Sequence, residues 1–156
     1  MIPQITKPKI EDLDKIFNIL LQWMEREEAE KYVKRIKNEI NGTTEFNMSF
    51  WIIKKDDEVA GVGGLSDILP SIKSFSKTEN PCELKILYLD NKFRGQGFGK
   101  ILLNFLEEKA TENKYTELMI RSADRYKDTA YGFYEKMGYK NIGLTYNNMI
   151  VFNKGL

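Results

Sequence analysis

The feature that most constrains this chain lies at residues 83–109, where an apolar strand, a glycine-rich turn and an amphipathic helix follow one another. The apolar run Leu84–Leu89 predicts a strand, Asp90–Gly97 a tight turn, and a helix opens at Phe98. Apolar residues at three- and four-residue spacing predict one buried helix face: Phe98, Ile101, Leu102, Phe105, Leu106 and Ala110. Glycines between a strand and a helix let the backbone approach a ligand closely.

The turn has the composition of an anion site. It reads Arg94-Gly95-Gln96-Gly97-Phe98-Gly99. The N–H groups of a helix's first turn and the helix dipole favour an anion, and Arg94 adds donors suited to phosphate oxygens. A Walker loop does not fit, because Ile101 replaces the required Ser or Thr, and the glycine spacing excludes a dinucleotide fingerprint. The alternative interpretation is an ordinary strand–turn–helix with packing glycines and a solvated arginine.

Two segments carry a family resemblance. Arg94-x-x-Gly97-x-Gly99, directly after Leu87-Tyr88-Leu89-Asp90, resembles the pyrophosphate-binding motif of the acetyl-CoA-dependent N-acetyltransferase superfamily (GNAT). Residues 130–139, AYGFYEKMGY, resemble that family's late helix, A-x-x-hydrophobic-Tyr-x-x-x-Gly-aromatic. The order of the two motifs extends the resemblance over residues 1–153. The sequence departs from the pattern at Lys127, where asparagine is common, and in a slightly longer loop before the late helix.

The resemblance implies an α/β (α+β) fold that forms a single N-acetyltransferase domain, residues 1–156. Its sheet is expected to be mixed and mostly antiparallel, with about 6–7 strands and about four flanking helices. Strands around 83–90 and 116–121 should run parallel, because a helical crossover joins them. By resemblance they splay apart to hold coenzyme A. Glycines at 61, 63 and 64 predict a bulge or a close backbone approach in an earlier strand, and residues 67–81 are predicted to be an irregular loop.

The resemblance also implies where acetyl-CoA binds. The pantetheine arm is expected on backbone groups of the central strand, and the pyrophosphate on N–H groups of residues 95–99. Arg94 is expected beside the phosphates; for Lys100, exposure on the helix is the equal alternative. The predicted cofactor-binding residues are Leu87, Tyr88, Leu89, Arg94, Gly95, Gln96, Gly97, Phe98, Gly99, Lys100 and Lys127.

The chain contains no histidine, which restricts its proton chemistry. A base must be a carboxylate, a tyrosine, the lone cysteine, a lysine or water, and no metal is expected. By resemblance Tyr134 is the general acid for the coenzyme A thiolate, while Phe133 is expected to be the aromatic packed under the sheet. Glu83 is the best placed carboxylate to take the amine's proton, directly or through water; a solvated strand end is its alternative. Cys82 as nucleophile would imply a ping-pong route, unlike the family's direct attack.

Charge and composition restrict the partners. Charged residues make up 30% of the chain and give a net charge of +1, so a nucleic-acid or anionic membrane partner is not expected. No apolar run approaches the ~20 residues of a membrane span, and no secretory leader opens the chain. The single cysteine excludes an internal disulfide and fits a reducing cytoplasm. We expect a cytoplasmic monomer or homodimer whose partners are acetyl-CoA and an amine acceptor.

The predicted function is N-acetyl transfer from acetyl-CoA to a primary amine of a small molecule or peptide. One alternative is a protein N-terminal or lysine acetyltransferase, which would have a groove open at both ends. Another is a non-catalytic acyl-CoA-binding module, which the same arginine and glycines would serve. The sequence does not identify the acceptor. Glutamates at 25, 27, 28 and 30 are either a solvated helix start or an acidic rim that attracts an amine.

Overall fold

A computed structural model describes residues 2–156 as an α/β protein. The strands are β1 (Gln4–Thr6), β2 (Ser49–Lys55), β3 (Glu58–Asp67), β4 (Pro81–Leu89), β5 (Glu117–Ser122), β6 (Lys140–Leu144) and β7 (Ile150–Gly155). The helices are α1 (Leu13–Leu21), α2 (Arg26–Ile40), α3 (Pro70–Lys73), α4 (Phe98–Glu112) and α5 (Gly132–Lys136). The strands form one sheet in the order β1-β2-β3-β4-β5-β7-β6.

The predicted mixed sheet is confirmed. β4 and β5 are parallel, as the helical crossover requires, whereas β1–β2, β2–β3, β5–β7 and β6–β7 are antiparallel. Contacts divide the chain into two units, of which the first contains residues up to Leu65 and Ile86–Leu106. The second contains Ser66–Lys85 and Glu107–Leu156. The single domain of residues 1–156 stays a prediction.

The core of the first unit forms where α1 and α2 cover β2 and β3. Apolar residues at helical spacing on α1 alternate with polar ones, so one face of this helix is fully buried. Each large apolar side chain removed from water stabilises the unit by ~1.5–3 kcal/mol. The cluster contains Ile16, Ile19, Leu20, Met24, Ala29, Ile36, Met48, Phe50, Ile52, Val59, Val62 and Ile86.

A glycine of β3 allows a close approach to the end of β4. A Cβ on Gly61 would lie 2.5 Å from Leu89 Cδ2 and 3.0 Å from the Tyr88 carbonyl oxygen. The β2–β3 ladder also shifts register between Ile53 and Lys54, which is a bulge. Both features predicted from the strand glycines are therefore present, and they lie beside the last residues of β4.

The buried face of α4 differs from the predicted one at two positions. Ile101 is 39% exposed, whereas Leu103 is fully buried. At 100° per residue, Leu103 lies about 60° from the buried Leu106 on the helix surface, and Ile101 lies about 140° away. The buried face of α4 therefore includes Leu103 beside Leu106 and leaves out Ile101.

In the second unit a buried carboxylate holds the segment that precedes β4. Glu117 accepts hydrogen bonds from the N–H groups of Lys77 (2.9 Å) and Thr78 (3.0 Å), and from Asn153 Nδ2 (2.7 Å). Burial alone would raise the pKa of Glu117, but these hydrogen bonds outweigh it and lower the pKa. The predicted irregular loop, residues 67–81, is thus anchored, and it contains the short helix α3. Within residues 2–156, no helix has the length and apolar character needed to cross a membrane.

Candidate functional site

The turn before α4 has an open backbone. Gly95 and Gly97 have φ values of +76° and +84°, which strongly favour glycine. A Cβ added to either residue would meet nothing within 4 Å. Neither glycine is therefore needed for packing, and both are exposed. Phe98 anchors the start of α4 instead: it is buried and its ring lies 5.8 Å from that of Phe93. The N–H groups of the first turn of α4 thus follow a turn that a ligand can approach.

Asp90 fixes the beginning of this turn. One carboxylate oxygen accepts a hydrogen bond from Lys15 Nζ at 2.7 Å, and the other accepts from the Lys92 N–H at 3.2 Å. Gln22 Nε2 lies 3.4 Å from the latter oxygen. Burial alone would raise the pKa of Asp90, but the hydrogen bonds from Lys15, Lys92 and Gln22 outweigh burial and lower it. Asp90 is therefore a buried, ionised cap at the point where β4 ends.

The end of α1 contacts the same turn, and sequence reasoning missed this contact. Gln22 Oε1 accepts a hydrogen bond from the Asn91 N–H at 2.8 Å. The Trp23 indole N–H donates to the Leu89 carbonyl at 2.8 Å. The guanidinium carbon of Arg94 lies 4.9 Å from the centre of the Trp23 ring, a cation–π contact. No local pattern indicates these contacts, because their partners lie 66 or more residues apart in the chain.

The backbone N–H and C=O groups of successive residues in β4 point to opposite edges of the strand. The Asp90 N–H donates to the Ala60 carbonyl of β3 at 2.8 Å. Because successive residues of a strand direct their N–H and C=O groups to opposite edges, Tyr88 faces β3 as well. The backbone groups of Leu87 and Leu89 then point away from β3. These are the groups predicted to hold the pantetheine arm, although Trp23 already occupies the Leu89 carbonyl.

The parallel ladder between β4 and β5 is short. It has three register pairs, Pro81–Glu117, Cys82–Leu118 and Glu83–Met119. β4 has nine residues, so the ladder covers its first third. A ladder that ends this early is what splaying of the two strands requires.

Glu83 is not a solvated strand end. It is 3% exposed, and its Oε2 lies 3.0 Å from Arg121 Nη2 and 3.8 Å from Lys85 Nζ. Arg121 Nε donates to the same oxygen at 3.2 Å, and Arg121 Nη1 donates to Ser71 Oγ at 2.9 Å. Sequence reasoning missed Arg121, which lies on β5 two residues beyond the register partner of Glu83. The carboxylate is therefore held between two cations.

Tyr134 has a buried ring. The residue is 7% exposed, and its ring centre lies 5.7 Å from that of Phe152 and 6.1 Å from that of Tyr139. Phe133 is only half-buried, so the expectation that Phe133 would be the packed aromatic is wrong. Neighbouring residues of a helix lie about 100° apart around its axis. Because Tyr134 is on the buried side of α5, Phe133 lies away from that side.

The hydroxyl of Tyr134 is available as a donor. Within the part of the chain that the structure describes, it makes no hydrogen bond, and no side-chain polar atom is both buried and unpaired. The hydroxyl must therefore be accessible to solvent or to a ligand. Burial of the ring, and secondarily the nearby Tyr126, raise the pKa of Tyr134. The group thus stays protonated at neutral pH.

Residues 130–139 resemble the family's late helix, but the structure forms only part of this segment as an α-helix. Asp124–Tyr126 form a 3-10 turn and Lys127–Tyr131 form a π-helical turn, so α5 covers only Gly132–Lys136. A π turn accommodates an extra residue, which explains how the longer loop joins the helix. Lys127 is exposed at the first position of the π turn, and its role with a cofactor stays a prediction.

Cys82 is an inert thiol. It is completely buried, and burial is the main cause that raises its pKa to about 12. A nucleophilic thiolate needs the opposite environment. Across residues 2–156, no group of three or more Cys, Asp or Glu side chains is arranged to hold a metal ion.

The mixed sheet and the open glycine turn at the start of α4 are the features that the sequence resemblance requires. The sequence model of the acetyltransferase (GNAT) family matches residues 13–139, and the chain belongs to this family. Human N-acetyltransferase 8B is 28% identical over 104 residues, which are 66% of this chain and 43% of that protein. The chain thus covers less than half of this relative.

Solved structures share the fold over their whole length. A GNAT-family protein from Desulfovibrio desulfuricans superposes with a TM-score of 0.82 at 15% identity, covering 99% of both chains. The PaiA N-acetyltransferase from Thermoplasma acidophilum, solved with coenzyme A, has a TM-score of 0.73 at 20% identity and covers 100% of both chains. Identities this low establish the fold alone, and the predicted GNAT-like fold is confirmed.

Proposed function

We propose that the protein is an N-acetyltransferase that moves an acetyl group from acetyl-CoA to a primary amine by direct attack. The observation that carries this proposal is the turn Arg94–Gly99. Gly95 and Gly97 have positive φ, leave open space and precede the first turn of a 15-residue helix. Backbone donors, a helix dipole and an arginine together suit a pyrophosphate.

The turn and the end of β4 supply the proposed cofactor contacts. The N–H groups of residues 95–99 and the Arg94 guanidinium bind the pyrophosphate, with Lys100 beside them. Backbone groups of Leu87 and Leu89 hold the pantetheine arm. The arrangement fits such a ligand, because no Cβ fills the turn and the strand end is fixed by Asp90 and Trp23.

Tyr134 and Glu83 carry out the proposed proton transfers. In the reaction a C–N bond forms as the neutral amine attacks the thioester carbonyl, and the C–S bond breaks. Tyr134 donates its hydroxyl proton to the leaving thiolate, because a protonated phenol is a competent general acid. Glu83 accepts the proton that the amine loses. Arg121 lies 3.4 Å from Glu83 Oε1, a longer contact than those to Oε2, so Oε1 retains lone pairs for a bridging water.

The acceptor is a small molecule or a peptide with a primary amine. The names of similar proteins include both kinds of acceptor: N-acetylaspartate synthetase from Xenopus tropicalis is named for an acetylated amino acid, and the ribosomal-protein-S18-alanine N-acetyltransferase from Escherichia coli, which shares the fold, is named for a protein. We infer a cytoplasmic protein, because its single buried thiol fits a reducing compartment, and we propose a monomer or homodimer.

The experiment is thiol release from acetyl-CoA, measured with and without a panel of amines. The panel contains amino acids, polyamines, aminoglycosides, and peptides with free N-terminal or lysine amines. Amine-dependent release at a rate above the spontaneous background supports the proposal, and the preferred acceptor separates small-molecule from protein acetylation. Coenzyme A binding without release for any amine would support the non-catalytic binding module instead. Absence of both would refute the proposal.

A further inference from the structure

We propose that Trp23 is a positioning residue for coenzyme A. It orients the Arg94 guanidinium and donates a hydrogen bond to the carbonyl of Leu89, the last residue of β4. This inference rests on the proposed function, because it concerns how the same turn receives its ligand. Trp23 is half-buried just beyond the end of α1. Its contacts include the hydrogen bond to the Leu89 carbonyl, the cation–π contact with Arg94 and a ring contact with Tyr88 at 6.0 Å.

The contact with Trp23 reduces the conformational entropy that the Arg94 side chain loses when it binds a phosphate. Arg94 is exposed, and an exposed arginine loses rotamer freedom when it binds a phosphate. The face of the Trp23 ring restricts the guanidinium before the ligand arrives, and guanidinium groups stack on aromatic faces while their N–H edges stay available for phosphate oxygens. Trp23 therefore reduces the ordering cost that Arg94 would otherwise add to binding.

The hydrogen bond to Leu89 selects which backbone groups a ligand can use. The indole N–H satisfies the Leu89 carbonyl, the last acceptor on the edge of β4 that points away from β3. The indole N–H takes one of the two lone pairs of the Leu89 carbonyl, so a pantetheine arm along this edge is directed toward Leu87 and the Leu89 N–H. Gln22, the preceding residue, fixes the next peptide through the Asn91 N–H. The end of α1 thus sets where the arm stops and the phosphates begin.

Two substitutions separate the two contributions of Trp23. Trp23→Phe keeps an aromatic face for Arg94 and removes the indole N–H, whereas Trp23→Leu removes both. We expect Trp23→Leu to weaken binding of 3′-phospho-ADP, which carries the phosphates without the arm, by about 3- to 10-fold. Trp23→Phe should retain most of this affinity. In turnover, Trp23→Leu should raise the KM for acetyl-CoA by a similar factor and leave kcat nearly unchanged.

A double-mutant cycle with Arg94→Ala distinguishes a positioning role from a purely structural one, because only a positioning role makes the effect of Trp23→Leu depend on Arg94. If Trp23 acts through Arg94, Trp23→Leu should cause little further loss of 3′-phospho-ADP affinity in the Arg94→Ala background. Trp51→Phe is the matched control, because Trp51 is the other tryptophan and contacts Lys7 and Phe105 instead of the turn. It should bind like the parent.

Fluorescence covers the case in which Trp23→Leu fails to fold. In the Trp51→Phe variant Trp23 is the only tryptophan, and saturating 3′-phospho-ADP should change its emission because Arg94 lies on its ring; pantetheine should change it less. Equal effects of Trp23→Leu with and without Arg94, or an emission that 3′-phospho-ADP leaves unchanged, would overturn the inference while the proposed function stands. A parent protein that binds no coenzyme A would overturn both.

Discussion

At the scale of single residues, Arg94 is the cation on which the phosphate assignment depends. It is exposed in the turn and its guanidinium lies over Trp23, so its N–H edges can reach a ligand. A charge-assisted hydrogen bond contributes ~1.5–3 kcal/mol. We therefore expect Arg94→Ala to weaken acetyl-CoA binding about 10- to 150-fold without loss of fold. Calorimetric titration measures this affinity.

Arg35→Ala is the matched control for that variant. Arg35 also lies over an aromatic ring, Tyr32 at 5.2 Å, but on α2 and outside the turn. Its removal should leave the affinity for acetyl-CoA unchanged. An affinity in Arg94→Ala equal to that of the parent would remove the pyrophosphate from this turn.

Asp90 gives a prediction on pH. Its pKa is lowered in the folded state, so its ionised form stabilises the fold above the unfolded-state pKa of ~3.9. That contribution is lost as the pH falls through the folded-state pKa. Asp90→Asn should lower the free energy of unfolding by about 1–3 kcal/mol at pH 7, because Lys15 loses the nearer of the carboxylates that it contacts, Asp90 at 2.7 Å, and keeps Glu58 at 3.6 Å. The difference from the parent should shrink as the pH approaches 3.

Urea unfolding at several pH values measures this difference. The exposed Asp14 supplies a control: Asp14→Asn should change the free energy of unfolding by no more than about 0.5 kcal/mol. A destabilisation of Asp90→Asn that stays constant down to pH 3 would show that the charge of Asp90 is not the cause.

Cys82 gives a prediction on mechanism. Because the thiol is buried and its pKa is raised to about 12, it should react slowly with thiol reagents in the native protein. Cys82→Ala should retain the parent's kcat, since direct attack does not use a thiol. A variant that has lost acetyl transfer while it remains folded would restore the ping-pong route.

Some residues of the candidate site could not be predicted because their partners are distant in the chain. Glu83 was predicted as a strand-end carboxylate, but its environment is set by Arg121 on another strand. Trp23 follows an amphipathic helix, and nothing near it in sequence indicates Arg94 or Leu89. Local spacing indicates which face of an element is buried; it does not indicate which other element covers that face.

At the scale of elements, the start of α4 is the part whose prediction can be tested most cleanly. Gly97 has positive φ and open space, so an alanine there adds backbone strain of ~1–2 kcal/mol and no clash with the protein. If its amide lies against a phosphate, the added methyl group also obstructs the ligand. Gly97→Ala should then weaken coenzyme A binding about 10-fold or more.

Gly42→Ala isolates the backbone strain. Gly42 follows α2 with φ +87° and nothing within 4 Å of an added Cβ, the same condition as Gly97. Both variants should lose similar stability in thermal unfolding, while only Gly97→Ala loses affinity in calorimetry. Parallel behaviour of the two variants in both measurements would show that these glycines serve the backbone alone.

Elements with distinctive glycines or clear helical spacing were predicted well, and elements without such a local pattern were not. Glycines and helical spacing indicated the strand–turn–helix of β4 and α4 and the glycine-related bulge of the β2–β3 hairpin. The π turn at Lys127–Tyr131 was missed, because its extra residue changes the hydrogen-bond pattern without a distinctive composition. Phe133 was predicted to be the packed aromatic, but the buried side of α5 is at Tyr134, one position and about 100° further round the helix.

At the scale of the whole molecule, the order of elements predicted only part of the topology. The helix between the two apolar strands β4 and β5 predicted a parallel pair, and that pair is present. β1 and β2 are antiparallel neighbours although α1 and α2 lie between them, so a helical connection alone does not set the direction of a strand pair. The acceptor could not be predicted, because no side-chain pattern in the chain is a substrate signature.

We propose that the protein catalyses acetyl transfer with Tyr134 as the acid, and the kcat of the variant Tyr134→Phe is the decisive measurement. The substitution keeps the packed ring and removes only the hydroxyl. Since general acid catalysis contributes ~10²–10⁴-fold, kcat for thiol release with the best amine should fall by about that factor. Affinity for acetyl-CoA should change little, because the hydroxyl acts as the thiolate forms.

Tyr131→Phe is the control in the same measurement. The Tyr131 hydroxyl donates to the Ser122 carbonyl at 3.1 Å, so its loss should lower stability by ~1 kcal/mol and leave kcat unchanged. The predicted result is therefore a kcat that falls at least about 100-fold for Tyr134→Phe alone. A Tyr134→Phe protein that turns over at the parent rate would contradict the assignment of the acid, and an active parent with no dependence on an amine would contradict acetyl transfer itself.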